Sequence, residues 1–215
     1  MINKLAGASI RSKDDLILEY CKNRNVLDVG CVGQDKNINS SEWIHEKIKS
    51  VANALTGTDI HVNEIDRLNK LGYSIKTPDS LNKEIKYEII TIFDVIEHVD
   101  NVVEFVKFHA KLLDDDGLMI ITTPNPFNIR QILNIFLFKI PSVNEEHTVW
   151  IDPLNFLEVS KRCNMKVVEF YWINEYFKHT KFYWRILDYI LIKPLRFFRR
   201  YLSANYAIII KNEKT

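Results

Sequence analysis

Residues that could bind a nucleotide-like ligand stand at the ends of two early apolar runs. The run at 25–30 ends in Asp28, Val29 and Gly30, and the run at 54–60 contains the carboxylate of Asp59. Glycine lets the backbone turn sharply and approach a ligand without a Cβ clash. A carboxylate at the end of the next strand can accept both hydrogen bonds of a ribose diol. This spacing favours a nucleotide-type site between the two turns.

The same residues also allow a purely structural interpretation. Gly30 and Gly33 would then only turn a strand into a helix, and Asp59 would cap the helix that follows. Two further acids, Asp79 and Asp94, follow later apolar runs and favour the ligand-binding interpretation.

Two histidines could act as a general base. His98 follows the apolar run at 87–93, and His147 lies in the loop after the run at 118–123. Imidazole titrates near neutral pH and can take a proton from an acceptor hydroxyl. His98 could instead cap the helix that begins near Asp100. Four other histidines have no motif context and are interpreted as surface or core residues: His45, His61, His109 and His179.

These residues need a layered α/β frame to bring them together. Apolar runs alternate with stretches of helical periodicity, which predicts strands alternating with helices. The predicted strands are 25–30, 54–60, 73–76, 87–93, 118–123, 165–172 and 206–211. The predicted helices are 12–22, 41–50, 63–71, 101–113, 129–139 and 153–163. We therefore expect one domain over 1–215: an α/β, Rossmann-like, doubly wound, mostly parallel seven-stranded sheet, with helices on both faces and a helical insertion before the last strand.

An ordered set of motifs resembles the class I S-adenosylmethionine-dependent methyltransferases. Residues 26–33 resemble the first motif, 55–60 the acidic-ended second strand, and 73–81 the third-strand region. Residues 87–99 and 112–125 resemble the fourth- and fifth-strand motifs. The resemblance covers roughly 15–175 and the last strand. Within the family, the motifs are similar to those of ubiquinone-biosynthesis O-methyltransferases and of methyltransferases that act on bacterial surface sugars and lipids.

The resemblance implies S-adenosylmethionine as cofactor, with a small-molecule or lipid-linked acceptor. The implied cofactor-binding residues are Asp28, Gly30, Cys31, Gly33, Asp59, Ile60, Asp79, Ser80 and Asp94. His98 and His147 are the candidate catalytic bases. The resemblance also suggests that Glu97 and Glu146 could hold a divalent metal ion, although no metal ligand is assigned from the residues alone.

The first motif departs from the family pattern, and the departure leaves two alternatives open. The usual GxGxG would place glycines at 30, 32 and 34, whereas this chain has Gly30, Val32 and Gln34, with a glycine at 33. A catalytically inactive methyltransferase-fold binding or scaffold module is one alternative. A nicotinamide-dependent reductase is another, which the incomplete glycine motif fits poorly.

Two apolar segments are candidate caps over an acceptor or membrane-facing surfaces. The segment 178–202 contains seven basic residues and one acid, so its charge is +6 while the remaining chain carries −5. Such a surface could lie on an anionic membrane, or it could pack on the sheet or at a dimer interface. The segment 126–141 is similarly apolar and could wall an acceptor pocket.

Composition excludes several other classes. A formal net charge of +1 gives no support for a nucleic-acid partner. Three cysteines without CxxC spacing argue against a disulfide framework and a zinc site. No apolar stretch is long enough for a transmembrane helix, and the first residues carry charges unlike those of a signal peptide. We therefore expect a cytoplasmic protein, with peripheral contact to the inner membrane face as an option.

Overall fold

One twisted sheet organises the chain in the computed structural model, which describes residues 5, 7–32, 38, 40–142, 144–173, 186, 189–190 and 193–213. Within these residues the strands are β1 (Ile10–Arg11), β2 (Asn25–Val29), β3 (Ala54–Thr58), β4 (Ile75–Lys76), β5 (Tyr87–Phe93), β6 (Leu113–Pro124), β7 (Met165–Ile173) and β8 (Asn205–Asn212). The expected α/β, Rossmann-like sheet is confirmed.

The strand order is β1-β7-β8-β6-β5-β2-β3-β4. Strand β8 runs antiparallel to both β6 and β7, and every other pairing is parallel. The expected count of seven strands is wrong within the described residues, because Ile10–Arg11 adds an eighth strand beside β7. Two residues are too few to show a strand periodicity in the sequence.

The helices are α1 (Lys13–Leu16), α2 (Ile44–Lys49), α3 (Val62–Lys70), α4 (Val102–Ala110), α5 (Ile129–Phe138), α6 (Pro153–Arg162) and α7 (Lys193–Phe198), and a π-helical turn, Ile17–Cys21, continues α1. Side chains that accept backbone N–H bonds start several of them. Asn101 caps α4, Asn128 caps α5, and Asp152 caps α6 ahead of Pro153.

The core lies on both faces of the sheet. One apolar cluster joins β2, β5 and β6 to α4 and α6 through residues such as Ile90, Val106 and Phe156. A second packs the first helical turns onto the opposite face through Leu16, Ile17 and other side chains. Central parallel strands are covered on both faces in this way, which explains why their sequences are continuously apolar.

The two candidate cap segments differ in how much of them the structure describes. Helix α5 lies within 126–141 and exposes a run of large apolar side chains. Most of 174–192, and with it much of the 178–202 segment, lies outside the described residues; within that segment α7 and a short turn, Arg200–Leu202, precede β8. None of the helices in the described part of the chain combines the length and apolar composition needed to cross a bilayer.

Candidate active site

Four residues that follow neighbouring strands lie at one edge of the sheet. Strands β3, β2, β5 and β6 are neighbours and run in the same direction, so their carboxyl ends lie side by side. Asp59, Gly30, Asp94 and Asn125 follow these strands in that spatial order. In open α/β sheets this edge is where ligands bind.

Gly30 makes a turn that no other residue type fits. Its φ is +71°, and its N–H donates to the carbonyl of Thr58 at 2.8 Å. A Cβ at this position would lie 2.3 Å from Cγ2 of Val95. The backbone therefore turns left-handed against the loop that follows β5, where only glycine avoids both strain and a clash.

Asp28 lies beneath this turn with its carboxylate committed to other side chains. His45 Nδ1 donates to Oδ2 and Thr91 Oγ1 donates to Oδ1, each at 2.8 Å. Asp28 and both partners are buried. The structure therefore places Asp28 under the candidate cofactor site rather than open at its surface. His45, interpreted from the sequence as a surface or core residue, is a core residue with a specific partner.

The residues after Gly30 are also held from within the protein. Cys31 is buried, and its carbonyl accepts a hydrogen bond from Trp43 Nε1 at 2.7 Å. Val32 is buried too, in an apolar cluster that includes Ile65 and Leu68. Its side chain therefore points into the core and not into the ligand edge. Gly33 and Gln34 lie outside the described residues.

Asp59 is surrounded by donors. Its Oδ1 accepts from the backbone N–H groups of Ile60 and His61 and from His61 Nδ1, and its Oδ2 accepts from the Val32 N–H at 2.9 Å. A ribose diol would have to displace one of these, and the half-exposed imidazole of His61 is the donor with the most freedom to leave. Ile60 projects its side chain outward, 76% exposed.

The third acidic position forms a separate turn. Asp79 and Ser80 belong to a short 3-10 helix, Pro78–Ser80, and both are exposed. The Ser80 hydroxyl donates to the carbonyl of Thr77 at 2.9 Å. The pair therefore remains accessible to a ligand, next to the end of β4.

Asp94 has a left-handed backbone, with φ of +53°, directly after β5. Its carboxylate accepts from Thr122 Oγ1 at 2.8 Å and from Lys13 Nζ. The resemblance implied Asp94 as a cofactor-binding residue, and in this structure Lys13 is its cationic partner. Lys13 was missed because it stands 81 residues away in the chain and belongs to no motif.

His98 and His147 are brought together. Their ring centroids are 4.7 Å apart and the rings are nearly perpendicular, at 88°. His98 Nδ1 lies 3.1 Å from the backbone carbonyl of Glu146, which can only accept, so Nδ1 carries the proton. The lone pair of His98 Nε2 is then available to accept a proton. Burial, and secondly the neighbouring His98, lower the pKa of His147.

Glu97 joins this pair. Ligand atoms of Glu97, His98 and His147 all lie within 4.8 Å of one another, close enough to hold a cation. Glu146 offers its backbone carbonyl to His98 in this structure, and the suggestion that its carboxylate joins Glu97 at a metal ion stays a prediction. Burial, and secondly Asp94, raise the pKa of Glu97 to about 8, while Thr123 Oγ1 donates to its Oε2 at 3.0 Å.

The comparisons with known proteins agree with this architecture. A family model described as a methyltransferase domain matches residues 8–169. Ubiquinone biosynthesis O-methyltransferases of Pelagibacter ubique and Rickettsia bellii are each 25% identical to this chain, over 178 and 158 residues. The matches cover 77% and 67% of this chain and 69% and 62% of those proteins.

Solved structures share the fold. A SAM-dependent methyltransferase from Archaeoglobus fulgidus superposes with a TM-score of 0.61 at 16% identity, covering 93% of this chain and 90% of that one. Magnesium protoporphyrin IX methyltransferase from Synechocystis, solved with bound SAH, gives 0.56 at 13% identity, covering 93% and 82%. The family match, which spans most of the chain and includes every described residue of the site, shows that the chain belongs to the class I S-adenosylmethionine-dependent methyltransferases.

Proposed function

We propose that this protein transfers a methyl group from S-adenosylmethionine to an oxygen of a small or lipid-linked acceptor, such as a sugar, a glycolipid or a quinone-like molecule. The observation that carries the proposal is the His98 and His147 pair at the ligand edge, in which the Glu146 carbonyl engages His98 through Nδ1. The names of the curated relatives, ubiquinone biosynthesis O-methyltransferases, support oxygen as the methylated atom.

For this reaction the protein has to align the acceptor oxygen with the methyl carbon and to remove the proton of the acceptor hydroxyl. The acceptor oxygen attacks the methyl carbon, the carbon–sulfur bond breaks, and S-adenosylhomocysteine leaves as a neutral thioether. The hydroxyl proton of the acceptor passes to His98 Nε2, which the Glu146 carbonyl orients through Nδ1. His147, packed against the same ring, is the second candidate for this proton.

For the cofactor we propose the turn at Gly30 and Cys31, with Gly33 beyond it, together with Asp59, Ile60 and the Asp79-Ser80 turn. The exposed Ile60 offers an apolar surface for the adenine, and Asp59 an acceptor for the ribose. Asp94 would receive the ammonium once Lys13 yields its place, while Asp28 acts from below through the turn. Val32 leaves the ligand edge clear because its side chain points into the core, and this favours an active enzyme over a scaffold.

A cation at Glu97, His98 and His147 is a second way to activate the acceptor. One carboxylate and two imidazoles suit a transition-metal ion better than magnesium, and a bound cation would acidify an acceptor hydroxyl. Glu97 would hold such an ion from the buried side, since Thr123 fixes one of its oxygens.

We propose that helix α5 forms part of the acceptor side of the site, and its exposed apolar side chains support a hydrophobic or lipid-linked acceptor. Helix α5 follows the end of β6 and exposes Ile135, Phe136, Leu137 and Phe138, of which Phe136 is 83% exposed. The stretch 126–144 contains Arg130 and Lys139 and no acid. We propose that this face rests on an anionic membrane surface, from which the acceptor is taken.

Calorimetry with S-adenosylhomocysteine tests the cofactor, and His98→Ala tests the base. We expect the unaltered protein and His98→Ala to bind S-adenosylhomocysteine equally well, because His98 touches the acceptor and not the cofactor. Turnover should fall by about 10²–10⁴-fold in the variant, measured as S-adenosylhomocysteine released with extracts of polar lipids as acceptor. Loss of turnover on EDTA treatment, restored by one divalent ion, would assign the group to a metal instead. No binding at millimolar ligand would refute the proposed function.

A further inference from the structure

We propose that Trp43 and His45 are positioning residues that hold the turn at 28–32 in the shape that binds the cofactor. The inference rests on the proposed function, because it assumes that this turn binds S-adenosylmethionine. Neither residue follows a strand at the ligand edge: both lie at the start of α2, more than ten residues beyond Gly30 in the chain.

Trp43 fixes the upper part of the turn. Its indole N–H donates to the carbonyl of Cys31 at 2.7 Å, and the side chain is buried. A buried hydrogen bond to a main-chain carbonyl fixes the orientation of the peptide plane, since breaking it would leave both groups without water or partner. The Cys31 peptide therefore has one orientation as long as Trp43 stays in place.

His45 fixes the lower part of the turn. Its Nδ1 donates to Asp28 Oδ2 at 2.8 Å, while Thr91 holds the other oxygen of the same carboxylate. With Asp28 tied on both sides, the end of β2 cannot shift relative to β5, and Gly30 meets Val95 at a fixed separation.

The hydrogen bonds of Trp43 and His45 form one unit because Gly57, on β3, leaves room for the side chains of Cys31 and His45 to pack against that strand. A Cβ on Gly57 would lie 2.6 Å from Cys31 Sγ and 2.9 Å from His45 Cε1. The Trp43 and His45 rings are themselves in contact, with centroids 4.9 Å apart. The turn at 28–32 therefore packs with Trp43 and His45 on one small area of the sheet.

This unit explains how a turn without the usual glycines can still bind. A glycine-rich loop must lose its flexibility when a ligand binds, and that ordering opposes binding. Here Val32 is packed in the core beside Trp43, and the turn is ordered before the ligand arrives. Removing the hydrogen bonds of Trp43 or His45 should therefore weaken cofactor binding through increased freedom of the turn.

The first test compares Trp43→Phe with Tyr73→Phe. Both substitutions remove one hydrogen-bonding group from the same aromatic cluster, but the Tyr73 hydroxyl donates to the Glu46 carboxylate at 2.7 Å, whereas the Trp43 indole donates to the turn. We expect the dissociation constant for S-adenosylhomocysteine to rise about tenfold in Trp43→Phe and to stay within about twofold in Tyr73→Phe. Calorimetry is run where circular dichroism shows all proteins folded.

The outcomes separate this inference from the proposed function. If the unaltered protein does not bind the ligand, the proposed function fails. If the unaltered protein binds and Trp43→Phe binds equally well, or if Tyr73→Phe weakens binding as much, the positioning role of Trp43 is refuted.

The second test asks whether the Nδ1 donor of His45 is what matters. Asparagine can place its amide N–H near the position of Nδ1, whereas phenylalanine fills the space without a donor. We expect His45→Asn to keep the affinity for S-adenosylhomocysteine within about threefold and His45→Phe to lose about tenfold or more. Equal affinity in both variants would overturn the role of His45.

Discussion

At the scale of single residues, the types and spacings of the acids and glycines predicted which edge of the sheet carries the candidate site. They did not predict the hydrogen-bond partners of those residues. Asp28, Gly30, Asp59 and Asp94 all lie at or directly beneath the carboxyl ends of the strands. This placement could be predicted, because apolar runs in the sequence mark where strands end. Their partners come from distant parts of the chain: His45 lies 17 residues from Asp28, and Lys13 lies 81 residues from Asp94. Side-chain pairing over such separations follows from packing, which the sequence pattern does not contain.

Gly30 allows a sharp prediction at this scale, with Gly72 as its matched control. Both have positive φ, of +71° and +89°, but an added Cβ at Gly72 meets nothing within 4 Å, whereas at Gly30 it meets Val95. Urea unfolding should show a loss of about 1–2 kcal/mol for Gly72→Ala from backbone strain alone. Gly30→Ala should lose a further 1–3 kcal/mol or so from overpacking.

Val95 provides the check on this explanation. If the extra loss comes from the clash, Val95→Ala in the Gly30→Ala background should recover part of it, and a double-mutant cycle should give a clear coupling energy. Additive effects of the two substitutions would contradict the clash and leave only backbone strain at Gly30.

At the scale of elements, regular strands and helices were predicted well and the short or irregular ones were not. Strand β5 matches its predicted run at both ends, and α5 differs by one residue. Strand β1 was missed, since its formation depends on β7, more than 150 residues away. The start of β6 was also misplaced, because the residues that follow Leu113 are acidic and look like a turn in the sequence. They belong to the strand because Leu113 pairs with Tyr87 of β5, before a register shift between Tyr87 and Ile89.

Helix α5 is the element with the clearest test of the membrane proposal. Phe136→Ser combined with Phe138→Ser removes two exposed apolar side chains, and Leu71→Ser, at an exposed residue after α3, is the matched control. Vesicles containing anionic lipid should sediment the unaltered protein and the control at low salt, and markedly less of the double variant. Sedimentation that is equal for all three proteins, or equal with neutral vesicles at high salt, would contradict the proposed surface.

At the scale of the whole molecule, the sheet follows from the alternation of strands and helices, and its stability depends on a few buried polar groups as well as on the apolar core. Most buried polar side chains have partners, as Asn125 does where it joins the end of β6 to the residues before β8. His109, on α4, is different. Its Nδ1 lies 2.9 Å from the Phe105 carbonyl, but its Nε2 finds no hydrogen-bond partner among the described residues.

His109 should therefore make the fold sensitive to acid. Burial lowers its pKa to about 4, well below the 6.5 of an unfolded histidine. Between these values the unfolded chain binds the proton and the folded chain does not, so stability falls as the pH decreases from about 6.5 towards 4. The loss is about 3 kcal/mol from this one group.

His109→Gln keeps an N–H donor and removes the titration. Relative to its own value at pH 8, the free energy of unfolding of His109→Gln should decrease less at pH 4.5 than that of the unaltered protein, measured by urea titration. Parallel pH profiles for the two proteins would show that His109 is not the acid-sensitive group, and that the interior around α4 admits its proton without loss.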